Sequence, residues 1–254
     1  MDWNALTLFL MITGRMTGTV LFNPLFGRRG IPGMVKAGFI LLLSVSVFAM
    51  TPVRLEVPAT LLGLAFTFLM EVFLGYVLGL VINFFFYIPV MAGSVIDMQM
   101  GLSMASTYDP ASGIQVTATS SILNAMMSLL FFAANGHHTL LRIYVNSGLV
   151  VPFGAVKLGE HFTAAMVQIF LDCTLLGVKL AMPILAAELL GQVGMGILMK
   201  AIPQINVFVI NIDVKVIVGL SMLIVLMVPI SDYLLKAETE MLLAIQRMLP
   251  LMSG

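Results

Sequence analysis

The sequence predicts an all-α fold: a polytopic, integral membrane-type helical bundle with bent helices. Three observations carry that expectation. Of 254 residues, 60% are hydrophobic and only 9% charged, with a mean hydropathy of +1.09, whereas soluble domains carry about 25% charged residues. Apolar runs of near-spanning length recur along the chain, and a membrane helix needs about 20 such residues. Short Pro- and Gly-containing connectors separate them, none long enough for an interdomain linker, so residues 1–254 read as a single domain.

The first run, Trp3–Phe22, is preceded by Asp2 and lacks the cationic leader of a cleaved signal peptide. It reads as a retained helix with Arg15 inside it. The connector Asn23–Gly33, NPLFGRRGIPG, is a Pro/Gly turn. Its Arg28 and Arg29, with Lys36 beyond, lean that end toward the cytoplasm, which Arg54 contradicts under simple alternation. Met34–Met50 is the second run, and TPVRLEVP leads on to Ala59–Ile82 and Phe84–Ile96. In the third run Gly75 and Gly79 stand four apart, the spacing that lets helix backbones approach closely. Ile122–Leu141 contains the NGHH turn, Asn135–His138. Thr163–Leu190 carries Asp172, Lys179, Pro183 and Glu188 and is expected to bend. Gly191, Gly194 and Gly196 then read as close helix packing. AIPQIN breaks the helix at Pro203, and Val207–Leu235 follows with Asp213 and Lys215 near its start.

One stretch does not belong in lipid. Ile96–Ser121 carries Asp97, Gln99, Asp109, Gln115 and eight Ser/Thr residues around a Tyr-Asp-Pro-Ala-Ser-Gly turn. Pro110 biases Asp109 away from helix and Gly113 frees the backbone, so helix is expected to stop near Ser106 and resume near Ser120. A non-helical polar loop between membrane-type helices is tolerated outside lipid, inside protein, or along a watery cavity.

Charges within apolar runs are the other informative feature. Each costs about 2.5–3.5 kcal/mol facing lipid at mid-membrane. Arg15, Glu71, Asp97, Asp172, Lys179, Glu188, Asp213 and Lys215 are therefore expected to face protein, water or one another, as buried or intersubunit polar groups. One alternative is an ion or proton path through Glu71, Asp97 and Asp172, as in a secondary transporter. No enzyme is read here. His137 and His138 are adjacent, not at metal-ligand spacing, no metal or cofactor site can be assembled, and Asp109 with Ser112 lacks a positioned histidine. Cys173 stands alone, which rules out an intrachain disulfide. Charges balance at 12 and 12, giving no basic patch for nucleic acid.

Several motifs in order carry a family resemblance. They are Arg15 with Pro24, Phe26, Gly27, Ile31 and Pro32; then Glu71 with Gly75 and Gly79. Gln99-Met-Gly101 with Tyr108-Asp109-Pro110, Gly113 and Gln115 follows, and last Pro203-Gln204-Ile-Asn206-Val-Phe208 with Lys215. With these the chain resembles the FliR family, the R-type subunit of the flagellar type III protein export gate, and its injectisome counterparts. The resemblance implies a subunit that joins P-type and Q-type export-gate subunits (FliP and FliQ) in a helical export-gate complex. An FlhB-type switch subunit packs nearby, in the bacterial inner membrane at the flagellar basal body, and the complex rises toward the periplasmic side. It implies that unfolded flagellar export substrates pass through the pore. It also implies a pore plug formed by Tyr108, Asp109, Pro110, Ala111, Ser112, Gly113, Ile114, Gln115, Val116 and Thr117. Beside that loop Met98, Met100 and Met104 offer flexible thioethers suited to a seal around chains of varied shape, with Met100 and Met104 on one helix face. Gln99, Gln204 and Asn206 join the buried polar set, and Gly101 joins Gly75 and Gly79 as a packing glycine.

Overall fold

A computed structural model of the chain describes residues 3–28, 30–51, 60–102, 107–109, 114–201 and 207–253. Eight α-helices and one hairpin follow in order: α1 Trp3–Leu21, α2 Gly33–Met50, α3 Leu61–Met100, β1 Thr107–Asp109, β2 Ile114–Val116, α4 Ala118–Ala133, α5 Gly136–Val150, α6 Phe162–Ala201, α7 Val207–Val225 and α8 Met227–Met248. The helical class is as expected; the two short strands are an addition to it.

Among the described residues, Gly33–Met50, Leu61–Met100 and Phe162–Leu198 are long and apolar enough to cross a membrane. Counting two bent helix pairs as one span each raises the number to five. The runs Ala59–Ile82 and Phe84–Ile96 are one helix, not two. Asn83, which divides them in sequence, is satisfied in place: its Nδ2 donates to Phe22 O at 2.6 Å and to Gly79 O at 3.0 Å. Pro89 and Pro183 likewise lie inside α3 and α6 without ending them. Elsewhere the expected long runs do break. Ile122–Leu141 turns by 69° between α4 and α5, where Asn135 takes φ 59°, a left-handed conformation that Asn tolerates. Val207–Leu235 turns by 63° between α7 and α8. Pro229 explains the break, because its ring would clash with the carbonyl four residues back, at Val225. The AIPQIN break at Pro203 falls outside the described residues.

The contacts cluster in two compact units, although no linker marks a boundary in the sequence. The first unit comprises residues 1–85, 135–170 and 238–254. Its centre is the contact of α1 with α3. A Cβ on Gly75 would lie 2.6 Å from Thr19 N and 2.8 Å from Gly18 Cα, and one on Gly79 would lie 2.8 Å from Phe22 O. Gly18 is equally tight, 2.9 Å from Gly75 Cα by the same construction. Glycines on both partners thus bring the two backbones into contact.

That approach lets Arg15 of α1 reach Glu71 of α3. Arg15 Nε donates to Oε2 at 2.6 Å and Nη2 to Oε1 at 3.1 Å, a bidentate pair with both side chains fully buried. The remaining polarity is also answered. Arg15 Nη1 donates to Ser147 Oγ at 3.2 Å, Gly154 N donates to Glu71 Oε1 at 2.7 Å, and the guanidinium lies 4.2 Å from the Phe153 ring centre. The NPLFG turn is held from within by Asn23, whose Oδ1 accepts from Leu25 N and Phe26 N while Nδ2 donates to Tyr144 Oη. Lys36 Nζ donates to Gly27 O at 2.8 Å. At the far end of the chain, Met252 O and Leu251 O accept from Lys157 N and Gly159 N.

The second unit comprises residues 86–134 and 171–237. Phe86 of α3 meets Phe131 of α4 edge-on at 6.1 Å, and Tyr233 Oη of α8 donates to Leu176 O of α6 at 3.0 Å. Gly177 of α6 sits against Met91 of α3.

Breaking a buried pair leaves a charge without compensation, which costs about 3–5 kcal/mol. Arg15→Met is therefore expected to cut the steady-state level of the chain in membranes severely. Arg15→Met combined with Glu71→Gln, which keeps an acceptor for Gly154 N, should recover most of it. Immunoblotting of membrane fractions with thermal unfolding in detergent checks both.

Candidate functional site: a hairpin clasped at its base

Helix α3 ends at Met100, earlier than Ser106, because Gly101 takes φ +82°. That left-handed conformation closes helices and is cheap only for glycine. A Cβ there would meet nothing within 4 Å, so Gly101 is a helix-terminating residue and not a packing one. Beyond it β1 and β2 pair antiparallel, with Thr107 opposite Val116, Tyr108 opposite Gln115 and Asp109 opposite Ile114. Of the expected plug, Pro110, Ala111, Ser112 and Gly113 fall outside the described residues. Helix α4 then begins at Ala118, two residues before the expected Ser120.

The two ends of this excursion are tied together. Asp97, fully buried in the last turn of α3, accepts from Thr119 N at 2.8 Å through Oδ2 and from Thr119 Oγ1 through Oδ1. Thr117, at the N-cap position of α4, makes no side-chain cap to its own helix. The Asp97 carboxylate supplies that acceptor from another helix, and its charge complements the helix dipole. One turn back, Ser120 Oγ donates to Val90 O at 2.8 Å, and the Ser94 and Thr117 hydroxyls lie 3.0 and 2.9 Å from it. Gly93 completes the clasp: a Cβ there would collide with the Ser120 backbone. The hairpin thus rises from a base in which every buried hydroxyl and carboxylate has a partner. Such a base holds position without a ligand.

A profile of the family described as "Bacterial export proteins, family 1" matches residues 6–241. The chain belongs to this family. "Flagellar biosynthetic protein FliR" of Bacillus subtilis (strain 168) is 30% identical over 229 residues, spanning 86% of this chain and 85% of the relative. Its Escherichia coli (strain K12) namesake is 28% identical over 240 residues, 93% of this chain and 92% of the relative. "Yop proteins translocation protein T" of Yersinia pestis is 26% identical over 186 residues, 72% of this chain and 70% of the relative. The export-family chain is accordingly a subunit of a type III secretion export apparatus, and its apolar helices make it a membrane protein.

Within this export-family chain the sequence-read polar residues separate into distinct settings. Arg15, Glu71 and Asp97 are satisfied internally, so none of them needs another subunit. Both oxygens of Glu71 and of Asp97 already accept hydrogen bonds from within the chain. Asp172, Lys179 and Asp213 are exposed, Gln99 and Lys215 half-buried, and Glu188 buried. Gln204 and Asn206 lie outside the described residues. Met98 is 69% exposed, while Met100 is fully buried. Met100 packs inside the second unit against Gly219. Met104, expected to share a helix face with Met100, lies outside the described residues. Gly191, Gly194 and Gly196 meet nothing within 4 Å and are not packing glycines within this chain. Among the described residues, no three His, Cys, Asp or Glu side chains gather to hold a metal ion.

Sequence reasoning missed Thr119, Ser120, Ser94 and Gly93, the partners in the clasp. A signal was available: Thr-Ala-Thr-Ser-Ser at 117–121 is a cluster of N-cap residue types directly before an apolar run. It also missed the strands, although Tyr108 and the Ile-Gln-Val alternation flank a four-residue Pro/Gly turn.

Removing the Asp97 carboxylate leaves the Thr119 N–H buried without an acceptor, at a cost of about 1–3 kcal/mol. In the assembled complex, Asp97→Ala is expected to speed limited proteolysis between residues 101 and 117 about tenfold, since roughly 1.4 kcal/mol is a factor of ten. Asp97→Asn, which keeps an acceptor oxygen, should stay within a few-fold of the wild type.

Proposed function

We propose that the chain is the R-type subunit of a flagellar export gate and that its hairpin, residues 107–117, plugs the pore through which unfolded flagellar proteins leave the cell. The observation that carries this reading is the clasped polar hairpin at the end of an apolar helix. At 40 residues each, α3 and α6 are about 60 Å long, roughly twice the hydrocarbon thickness of a bilayer. Helices of that length and apolarity are only partly covered by lipid, and the rest of their surface calls for protein partners. P-type and Q-type subunits of the same gate are the partners this reading assigns, with an FlhB-type subunit near its entrance. The inner membrane at the flagellar basal body is the location it implies. The Bacillus subtilis and Escherichia coli flagellar relatives align over 86% and 93% of this chain against 72% for the Yop translocation protein, which favours the flagellar system over an injectisome.

The mechanism is passive gating. A polar hairpin backbone is stable among apolar helices where it stands in an aqueous conduit. An arriving chain displaces the hairpin, the clasp at Asp97 holds its two feet together, and the hairpin returns once the chain has passed. Met98, exposed beside the hairpin, supplies a pliable contact to the passing polypeptide. No covalent step takes place in this subunit.

Replacing residues 107–116 by a short Gly-Ser link spares Thr117 and Thr119, which hold the clasp. The complex is expected to assemble at normal yield and to admit small solutes several-fold faster than the wild type. Unchanged permeability in an intact complex would overturn the plug reading. Solute influx in cells producing the complex, with co-purification of its subunits, makes the measurement.

A further inference from the structure

The last turn of α3 does more than present the hairpin. A Cβ placed on Gly219 of α7 would lie 2.6 Å from Met100 Cγ and 2.8 Å from Glu188 Oε1. Gly219 is therefore a notch in α7, filled by the final side chain of α3 and bordered by a carboxylate from α6. Met100 is 0% exposed and Glu188 1%, so the notch is closed to water. Glu188 Oε1 nevertheless has no hydrogen-bond donor. The groups facing the Glu188 carboxylate are the Lys215 ammonium, one turn before Gly219 on α7, and the Gly219 N–H itself.

We propose that the Met100–Gly219 contact is the joint that positions the foot of the hairpin, so that the gate opens only when the last turn of α3 parts from α7. Met100 and Gly219 are positioning residues here, acting through the last turn of α3 and its Asp97–Thr119 tie to the start of α4. Close-packed contacts have discrete arrangements and do not deform continuously; a side chain seated in a one-residue notch is either in or out. The seated state leaves Glu188 Oε1 buried with no donor at full hydrogen-bond geometry, which is unfavourable. Parting the helices exposes that oxygen to water or to the Lys215 ammonium and offsets part of the packing lost. The joint is thereby poised, neither loose nor locked. This inference rests on the plug reading and adds the contact that governs it.

A reversible lock tests the joint. Met100→Cys and Gly219→Cys are combined in a Cys173→Ala background, which leaves the pair as the only thiols in the chain, within the assembled complex. Oxidation is expected to form the disulfide, to cut export of a reporter substrate at least tenfold without raising solute leak, and to be undone by reduction. The Met100→Cys single variant should ignore the oxidant. Formation of the bond with export unchanged would overturn the joint, and so would failure of the bond to form in an assembled complex. The hairpin replacement described above separates the two ideas. If it leaks while the locked joint still exports, the joint is wrong and the plug stands. If it does not leak, the plug reading itself fails.

Discussion

The carboxylate of Asp97 accepts both the backbone N–H and the hydroxyl of Thr119, and with that pair the polar excursion between α3 and α4 becomes a defined object. Without it α4 would begin with unanswered N–H groups in an apolar setting, where each costs heavily. With it, the end of one helix caps the start of the next, and the segment between them is free to be hydrophilic. Ser94, Ser120 and the Gly93 approach repeat the tie one turn deeper. A hairpin held this way has its two ends tied together, as the proposed plug requires.

The same economy appears at Arg15 and Glu71 in the other unit. Two full charges sit at zero exposure because glycines at 18, 75 and 79 bring α1 and α3 into backbone contact, and because Ser147, Gly154 and Phe153 answer what the ion pair leaves over. The Arg15–Glu71 pair and the Asp97–Thr119 tie are thus closed within the chain. The outer faces of the helices are apolar instead: Met34 is 89% exposed, and Leu61, Leu62 and Leu149 are more than 80% exposed. Surfaces of that kind are meant to be covered by lipid or by other subunits.

Much of this was legible beforehand, and the failures have specific causes. Buried charges and the Gly75–Gly79 spacing point to helix contacts, and the polar stretch at 96–121 announces an interruption. Periodicity could not show that α3 runs through Asn83, because that requires knowing that Phe22 O lies within reach of its amide. The break at Leu226 was readable from Pro229 by its clash with residue 225. Asp97 reads as a group in need of a partner, but the partner, Thr119, is named only by the fold. Met100 and Gly101 stand side by side yet part company: one packs against Gly219, the other turns the chain. Composition cannot make that distinction.

Membership in an export family fixes the kind of assembly, and the clasped hairpin is the part we propose to act in it. Its position relative to a passing substrate is the central claim. The most direct measurement places a photo-reactive residue at position 108 in the assembled complex while a substrate is stalled mid-passage. An adduct between position 108 and the stalled chain is the result this account requires. Adducts to lipid or free labelling from bulk water, with none to the substrate, would contradict it.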